Sequence, residues 1–195
     1  MTDTLTIEAT KIVKLDLGCG PNKQAGFTGV DAIQFDGKVD VVTDLRFGPW
    51  PWEDNSVDEV HCSHFLEHLT NFNDKWERVL FFNELGRILK PGGKATIIFP
   101  HWCSTRFYGD PTHKEPFSEM GFYYLSKDWR AGNSPHCDSR TAPGPHSYNC
   151  DLEASWGYSM HQALMSRNSE FQQDAMAWKK EAVQDIIAAV KKKLT

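Results

Sequence analysis

The chain has no apolar run long enough to cross a bilayer, and its opening MTDTLTIEAT lacks the hydrophobic core of a secretory signal. It also has no excess of positive charge. The net charge is −5 and the pI is near 5.9, which argues against a general affinity for phosphate backbones. Five cysteines without framework spacing exclude a disulfide scaffold and fit reduced thiols. Repeats and low-complexity tracts are missing. These absences set the expectation of a cytoplasmic globular protein with neither membrane nor nucleic acid as partner. At 195 residues, 40% hydrophobic and 24% charged, the chain suffices for one domain with a full core.

What the chain does have is a glycine turn at the end of an apolar step. Lys14-Leu15-Asp16-Leu17 runs into Gly18-Cys19-Gly20-Pro21-Asn22-Lys23, and a second apolar step, Gly29-Val30, ends in Asp31. Glycine accepts positive φ and lets a ligand lie against bare backbone. An acid closing the next strand can accept both hydroxyls of a ribose. Together they describe a nucleoside-binding strand edge. A dinucleotide fingerprint wants a third glycine where Lys23 stands and an acid about 20 residues on, whereas Asp31 comes much sooner. A Gly-Lys-Ser/Thr phosphate loop is absent.

Apolar patterning predicts strands at 12–17, 28–31, 39–43, 57–63 and 94–100. The intervals between the first three hold Gly, Pro, Asn and Asp without helical spacing, so crossover helices there are very short or missing. Trp76, Val79, Leu80, Leu85, Ile88 and Leu89 recur at helical spacing over 73–89, with Asn83 a polar exception. Lys90-Pro91-Gly92-Gly93 is expected to stop that helix. A helix near 117–129, an irregular loop at 131–149 and a strand at 150–158 follow. A capping box at Ser169-Glu170-Phe171-Gln172 opens a final helix. Its stripe is Phe171, Ala175, Trp178, Ala182, Ile186 and Val190, with Lys191, Lys192 and Lys193 at the dipole's negative end. The expected fold class is α/β: a Rossmann-like three-layer sandwich, with a mostly parallel sheet and an antiparallel strand near the C-terminus. A single domain spans 1–195, with a cofactor-binding half at about 11–100 and a substrate lid with the C-terminal strand and helix at about 101–195.

Five segments carry a family resemblance: Leu15-Asp16-Leu17-Gly18-Cys19-Gly20, Gly29-Val30-Asp31, Thr43-Asp44-Leu45, Ser63-His64-Phe65-Leu66-Glu67-His68-Leu69 and Leu89-Lys90-Pro91-Gly92-Gly93. In this order they resemble the motif set of class I S-adenosylmethionine-dependent methyltransferases. The nearest resemblance is to a compact group in which a strand ending Cys-Ser-His is followed by a Leu-Glu-His helix, and it covers roughly residues 11–100. The resemblance implies S-adenosyl-L-methionine as cofactor. It implies that Gly18, Cys19 and Gly20 pass under the methionine and ribose, with Asp16 fixing the loop or meeting the ammonium group. Asp31, with Ala32 beside it, would accept the ribose hydroxyls. Asp44 would accept the adenine amino group while Leu45 packs on the ring, and Ser63 and His64 would lie near the sulfonium. The chain departs from larger members in lacking a clear helix between Gly20 and Gly29. That leaves the cofactor's tail less enclosed, or dependent on Pro21, Asn22 and Lys23.

An alcohol or amine acceptor must lose a proton, and an imidazole titrates near neutrality. The candidate catalytic bases are His64, His101 and His113, with His68 close to the first in sequence. Asp110-Pro111-Thr112-His113-Lys114, with Trp102, Arg106, Phe107 and Tyr108, describes an aromatic, partly basic pocket for a small acidic or phenolic acceptor. His64, Glu67 and His68 share a helical face, and with His101 or His113 they have the spacing of metal ligands. His136, Cys137, His146 and Cys150 match no standard zinc pattern. Neither set is expected to hold a metal. Cys19, Cys62 and Cys103 read as small buried hydrophobes. The expected activity is methyl transfer from S-adenosylmethionine to an oxygen or nitrogen of a small-molecule acceptor. The alternatives are an RNA- or protein-modifying methyltransferase on the same fold and a non-catalytic cofactor-binding subunit. Aromatics after residue 101 leave a homodimer open as an assembly.

Overall fold

The computed structural model describes residues 12–71, 75–133 and 147–194. Its frame is a seven-stranded sheet: β1 (Lys14–Leu17), β2 (Thr28–Asp31), β3 (Val41–Val42), β4 (Val57–Ser63), β5 (Leu89–Pro100), β6 (Leu152–Met160) and β7 (Val183–Lys192). The spatial order is β3-β2-β1-β4-β5-β7-β6. Strands β1 to β5 are parallel, and β7 runs antiparallel between β5 and β6. The α/β class, the mostly parallel sheet and the antiparallel strand near the C-terminus agree with the sequence.

Register explains which face is buried. Leu15 and Leu17 lie opposite Val60 and Cys62, which in turn lie opposite Ala95 and Ile97, and these opposite Val190 and Ala188. This row is almost wholly shielded from solvent, and α1 (Glu77–Ile88) adds Phe81, Phe82, Leu85 and Ile88 to the same core. Side chains alternate faces along a strand, so the neighbouring positions form the opposite row. There Glu59 pairs with Lys14 at 2.8 Å and Lys94 at 3.4 Å, and Ile187 is 40% exposed. Residues 18–27 and 32–40 contain no helix, as the Gly, Pro and Asn content predicts, so among the described residues no crossover helix covers that row. Of the two covering layers of the expected sandwich, these residues build out the one that carries α1.

Asn83, the polar exception within α1, has a structural task. Its amide donates to the Ser147 carbonyl at 3.1 Å and accepts from the Asn149 amide at 2.8 Å, tying α1 to the segment leading into β6. Residues 73 and 74, the expected start of this helix, lie outside the described residues.

Four expectations need correction. Lys90-Pro91-Gly92-Gly93 does follow the helix, but β5 already begins at Leu89. Pro-Gly-Gly forms an irregularity within the strand, where the pairing jumps from Val57 with Leu89 to Glu59 with Lys94. The helix near 117–129 is two short ones, α3 (Met120–Tyr123) and α4 (Lys127–Asn133), preceded by α2 (Thr105–Tyr108). The strand at 39–43 contracts to the two residues of β3.

The largest error is the C-terminal helix. After α5 (Gln162–Met165), α6 spans only Ser169–Trp178, and Asn168 rather than Ser169 caps it, accepting from the Phe171 amide at 2.9 Å. The chain leaves the helix at Lys179, passes through Glu181 at φ 66°, and continues as β7. A spacing of four keeps Ala182, Ile186 and Val190 on one face of a helix, and equally on one face of a strand. Ala188, fully buried between exposed Ile187 and Ala189, is the residue that distinguishes the two. Lys191 to Lys193 therefore end a strand; Lys192 bonds Asn55 at 2.8 Å and Lys193 pairs with Asp128 at 2.7 Å. Trp178, placed in the apolar stripe by sequence, is 83% exposed. Trp178→Ala should therefore change stability by no more than about 0.5 kcal/mol, while Ile186→Ala costs roughly 2–5 kcal/mol in denaturant unfolding. A large cost at Trp178 would restore the helical reading.

Candidate functional site

The carboxyl ends of β1 and β2, with β4 alongside, meet at a turn built from glycine. Gly18 and Gly20 have φ of 68° and 50°, a region that costs other residues roughly 1–2 kcal/mol. The amides of Gly18 and Cys19 both donate to the Val30 carbonyl, at 2.8 and 3.1 Å. Asp16 is 2% exposed; its carboxylate accepts from the Gln24 amide at 2.6 Å and meets His61 Nδ1 of β4 at 2.7 Å. Asp31 accepts from the Gly20 amide at 2.9 Å and the Ile33 amide at 3.2 Å. On the far side of the turn, Lys23 pairs with Asp40 at 2.8 Å and holds that carboxyl below the usual range. Asp40 also takes the Gly29 amide at 2.7 Å. A closed set of hydrogen bonds thus replaces the missing helix after Gly20.

The two glycines differ. A Cβ on Gly18 would lie 2.5 Å from the Phe65 ring, whereas one on Gly20 would meet nothing within 4 Å. Gly18 is needed for packing, and Gly20 opens a ledge. Cys19 is buried beneath it, its thiol pushed up to about 11 by burial and by Asp16 and Asp31, so it is a poor nucleophile. Ala32 is exposed at the edge of the ledge, and next to it Ile33 presents a 63% exposed side chain that the sequence reading passed over.

The two residues expected to contact adenine have partners within the fold. Leu45 is 2% exposed within the core, and its carbonyl accepts from Trp50 Nε1 at 3.2 Å, so its side chain is not available to pack on a ring. The Asp44 carboxylate is engaged by Arg46 at 2.6 Å, whose hydrogen bond holds it below the ordinary range.

The candidate bases divide into two groups. His64, directly after Ser63 at the end of β4, has φ 55° and a half-exposed ring whose Nδ1 lies 3.2 Å from Glu67 Oε1. That contact raises the imidazole's pKa against the effect of burial. The expected Leu-Glu-His helix is a single 3₁₀ turn, Leu66–His68. His113 faces the same carboxylate at 3.8 Å. His101 lies apart, 6% exposed after β5, with Nε2 3.2 Å from Glu119 and Nδ1 3.0 Å from Cys103 Sγ. The Cys103 amide also donates to Nδ1, at 3.3 Å, which leaves the ring proton on Nε2, facing Glu119. Between the two groups Arg106 pairs with Asp185 at 2.7 Å.

Of the residues expected to line a pocket around 102–114, the structure places Trp102 at a cavity and turns Phe107 and Tyr108 to other contacts. Phe107 is buried and tilted against His113, and Tyr108 donates outward to the Trp102 carbonyl at 3.1 Å. This open cavity of about 510 Å³ lies beside His101, lined by Trp102, Glu119, Tyr158, Gln173 and Met176 among others. Glu119 is hydrogen-bonded by both His101 and Tyr158; burial pushes its pKa up, and these bonds outweigh it. Glu119 and Tyr158 escaped sequence reading because nothing periodic links them to His101. Of the second metal set, His136, Cys137 and His146 lie outside the described residues.

Residues 15–97 match the family model described as "Methyltransferase domain". A search of curated proteins finds no match. Among solved structures, a SAM-dependent methyltransferase from Archaeoglobus fulgidus superposes with a TM-score of 0.58 at 20% identity, over 94% of this chain and 87% of that one. A SAM-dependent methyltransferase from Methanosarcina mazei gives 0.53 at 16%, over 93% and 92%. The [4+2]-cyclase SpnF gives 0.55 at 15%, over 94% and 76%. Residues 15–97 are thus similar to a methyltransferase domain, and the chain has the fold of S-adenosylmethionine-dependent methyltransferases. Among the described residues no helix is long and apolar enough to cross a membrane.

Gly18→Ala and Gly20→Ala should separate in chemical denaturation. Both bear the left-handed backbone cost, but Gly18→Ala adds an overpacking cost of roughly 1–3 kcal/mol against Phe65. Equal losses would mean that Phe65 yields freely.

Proposed function

We propose that this chain transfers a methyl group from S-adenosylmethionine to an oxygen or nitrogen of a small-molecule acceptor held in the cavity beside Glu119. The observation that carries the reading is the open ledge at Gly20, whose amide is fixed by Asp31. A bare backbone surface next to a carboxylate suits a ribose and the chain joined to it. Asp31 keeps lone pairs for the sugar hydroxyls, Asp16 holds the turn from below, and Ile33 offers an apolar surface for the base. Ser63 and His64 stand at the adjoining strand end. S-adenosylmethionine bound there would supply a methyl group on a positively charged sulfur.

The remaining work belongs to residues past β5. The cavity is of the size that takes small ligands, roughly 300–1,000 Å³. His101 donates to Glu119 through Nε2 and its other nitrogen is covered, so Glu119 is the group that takes the acceptor's proton, with His101 and Tyr158 orienting it. The net charge of −5 favours a small molecule over nucleic acid as acceptor.

Two measurements test the proposal. Asp31→Ala should weaken S-adenosylmethionine binding at least tenfold (about 1.4 kcal/mol) in equilibrium dialysis; unchanged binding removes the ribose assignment. In a screen with methyl-labelled donor, the label should enter a small-molecule fraction and fall at least about a hundredfold in Glu119→Gln, with donor binding retained. Label found only in RNA or protein would replace this acceptor class.

A further inference from the structure

The base candidates His64 and His113 both face one buried carboxylate, Glu67. Glu67 is 2% exposed, and while its Oε1 faces His64 and His113, its Oε2 is buried with no hydrogen-bond partner among the described residues. A buried carboxylate oxygen without a partner is costly and calls for an explanation such as a bound ion. The imidazoles around it are turned in a particular way. His113 Nδ1 lies 2.7 Å from the Phe107 carbonyl, and His68 Nδ1 lies 3.3 Å from the Thr112 carbonyl. A carbonyl only accepts, so in each ring the proton sits on Nδ1 and Nε2 keeps its lone pair. Histidine ligands of metals are held in this way, the second nitrogen donating to a backbone carbonyl.

The loop that delivers His113 is rigidly built. Asp110 accepts from the Thr112 amide at 2.8 Å and its hydroxyl at 2.6 Å, Pro111 restricts the backbone between them, and the Lys114 amide donates to the Glu67 carbonyl at 2.9 Å. The two rings meet edge to face with centroids 4.8 Å apart. One ligand atom each from Glu67, His68 and His113 falls within 4.8 Å of the others, and Glu67 Oε1 is 3.8 Å from His113 Nε2. Ligands about 2.1 Å from a tetrahedral ion are about 3.4 Å apart, so closure requires side-chain shifts of about 1 Å.

We propose that Glu67, His68 and His113 form a binding site for one divalent transition-metal ion, through a carboxylate oxygen and two imidazole Nε2 atoms, with at least one coordination position open. Two imidazoles and one carboxylate select zinc, iron or manganese over calcium and magnesium, which prefer oxygen. The carbonyl contacts of Phe107 and Thr112 act as outer-shell supports. The site stands independently of the methyl-transfer reading, because metal and donor are titrated separately.

The test uses the full chain, freed of metal by a chelator that is then removed, and titrated with Co²⁺ in the visible range. A one-to-one complex displaced by Zn²⁺ is expected. It should weaken at least about tenfold in His68→Asn, and by the same or more in His113→Asn and Glu67→Gln. For a variant that loses its fold by circular dichroism, the wild type gives the second readout. Co²⁺ should shift or broaden the ring resonances of His68 and His113 before those of His101 and His161. No one-to-one complex, or one that persists in the folded variants or perturbs other histidines first, overturns the proposal.

Discussion

The buried Asp16 carboxylate is the contact on which the rest of this architecture depends. It stands near the end of β1, an interior strand, where a buried carboxylate needs polar partners. His61 reaches it across the sheet, and the Gln24 amide reaches it from the turn above. These two bonds hold the glycine turn against β1 and β4 without the helix that a longer connection would provide. Asp31 and Asp40 repeat the device one and two strands further out, each taking a backbone amide of the turn or of β2. Three short carboxylates thus do for the 18–29 connection what helical packing does elsewhere.

The parallel ladder then spaces the chemistry along the strand ends, where ligands of such sheets bind. The ledge belongs to β1 and β2, the strained His64 to β4, and Glu119 faces the cavity past β5. The half-exposed His64, with its positive φ, is held by a backbone bond to Ile98 and by Glu67. Backbone strain of this kind persists only where the surroundings enforce it. Here the enforcing group is a buried carboxylate with capacity to spare.

Much of this was legible in the sequence, and the failures have physical causes. The strands at 28–31 and 57–63 match to the residue, because alternating or continuous apolar steps ended at Asp31 and Ser63 have no helical reading. The missing crossover helices followed from composition. The C-terminal strand is hidden in the sequence because every fourth residue faces the same way in a helix and a strand, so the stripe masks the strand propensity of Val183, Ile186, Ile187 and Val190. In the site, local signals located Gly18, Gly20, Asp16 and Asp31. They did not reveal the ion pair of Asp44 with Arg46 or the burial of Leu45, nor Glu119 and Tyr158, which only the tertiary fold brings to His101. The histidines were recognised as a class, but their sorting onto Glu67 or Glu119 depends on where the 101–119 segment crosses the sheet.

The central claim, that the glycine turn pinned by Asp16 and Asp31 is a seat for an adenosyl ligand, is tested most directly by calorimetric titration of S-adenosylhomocysteine into the folded chain. The account predicts saturable heat with one site per chain. Absence of heat at concentrations that saturate methyltransferases of this fold would contradict it.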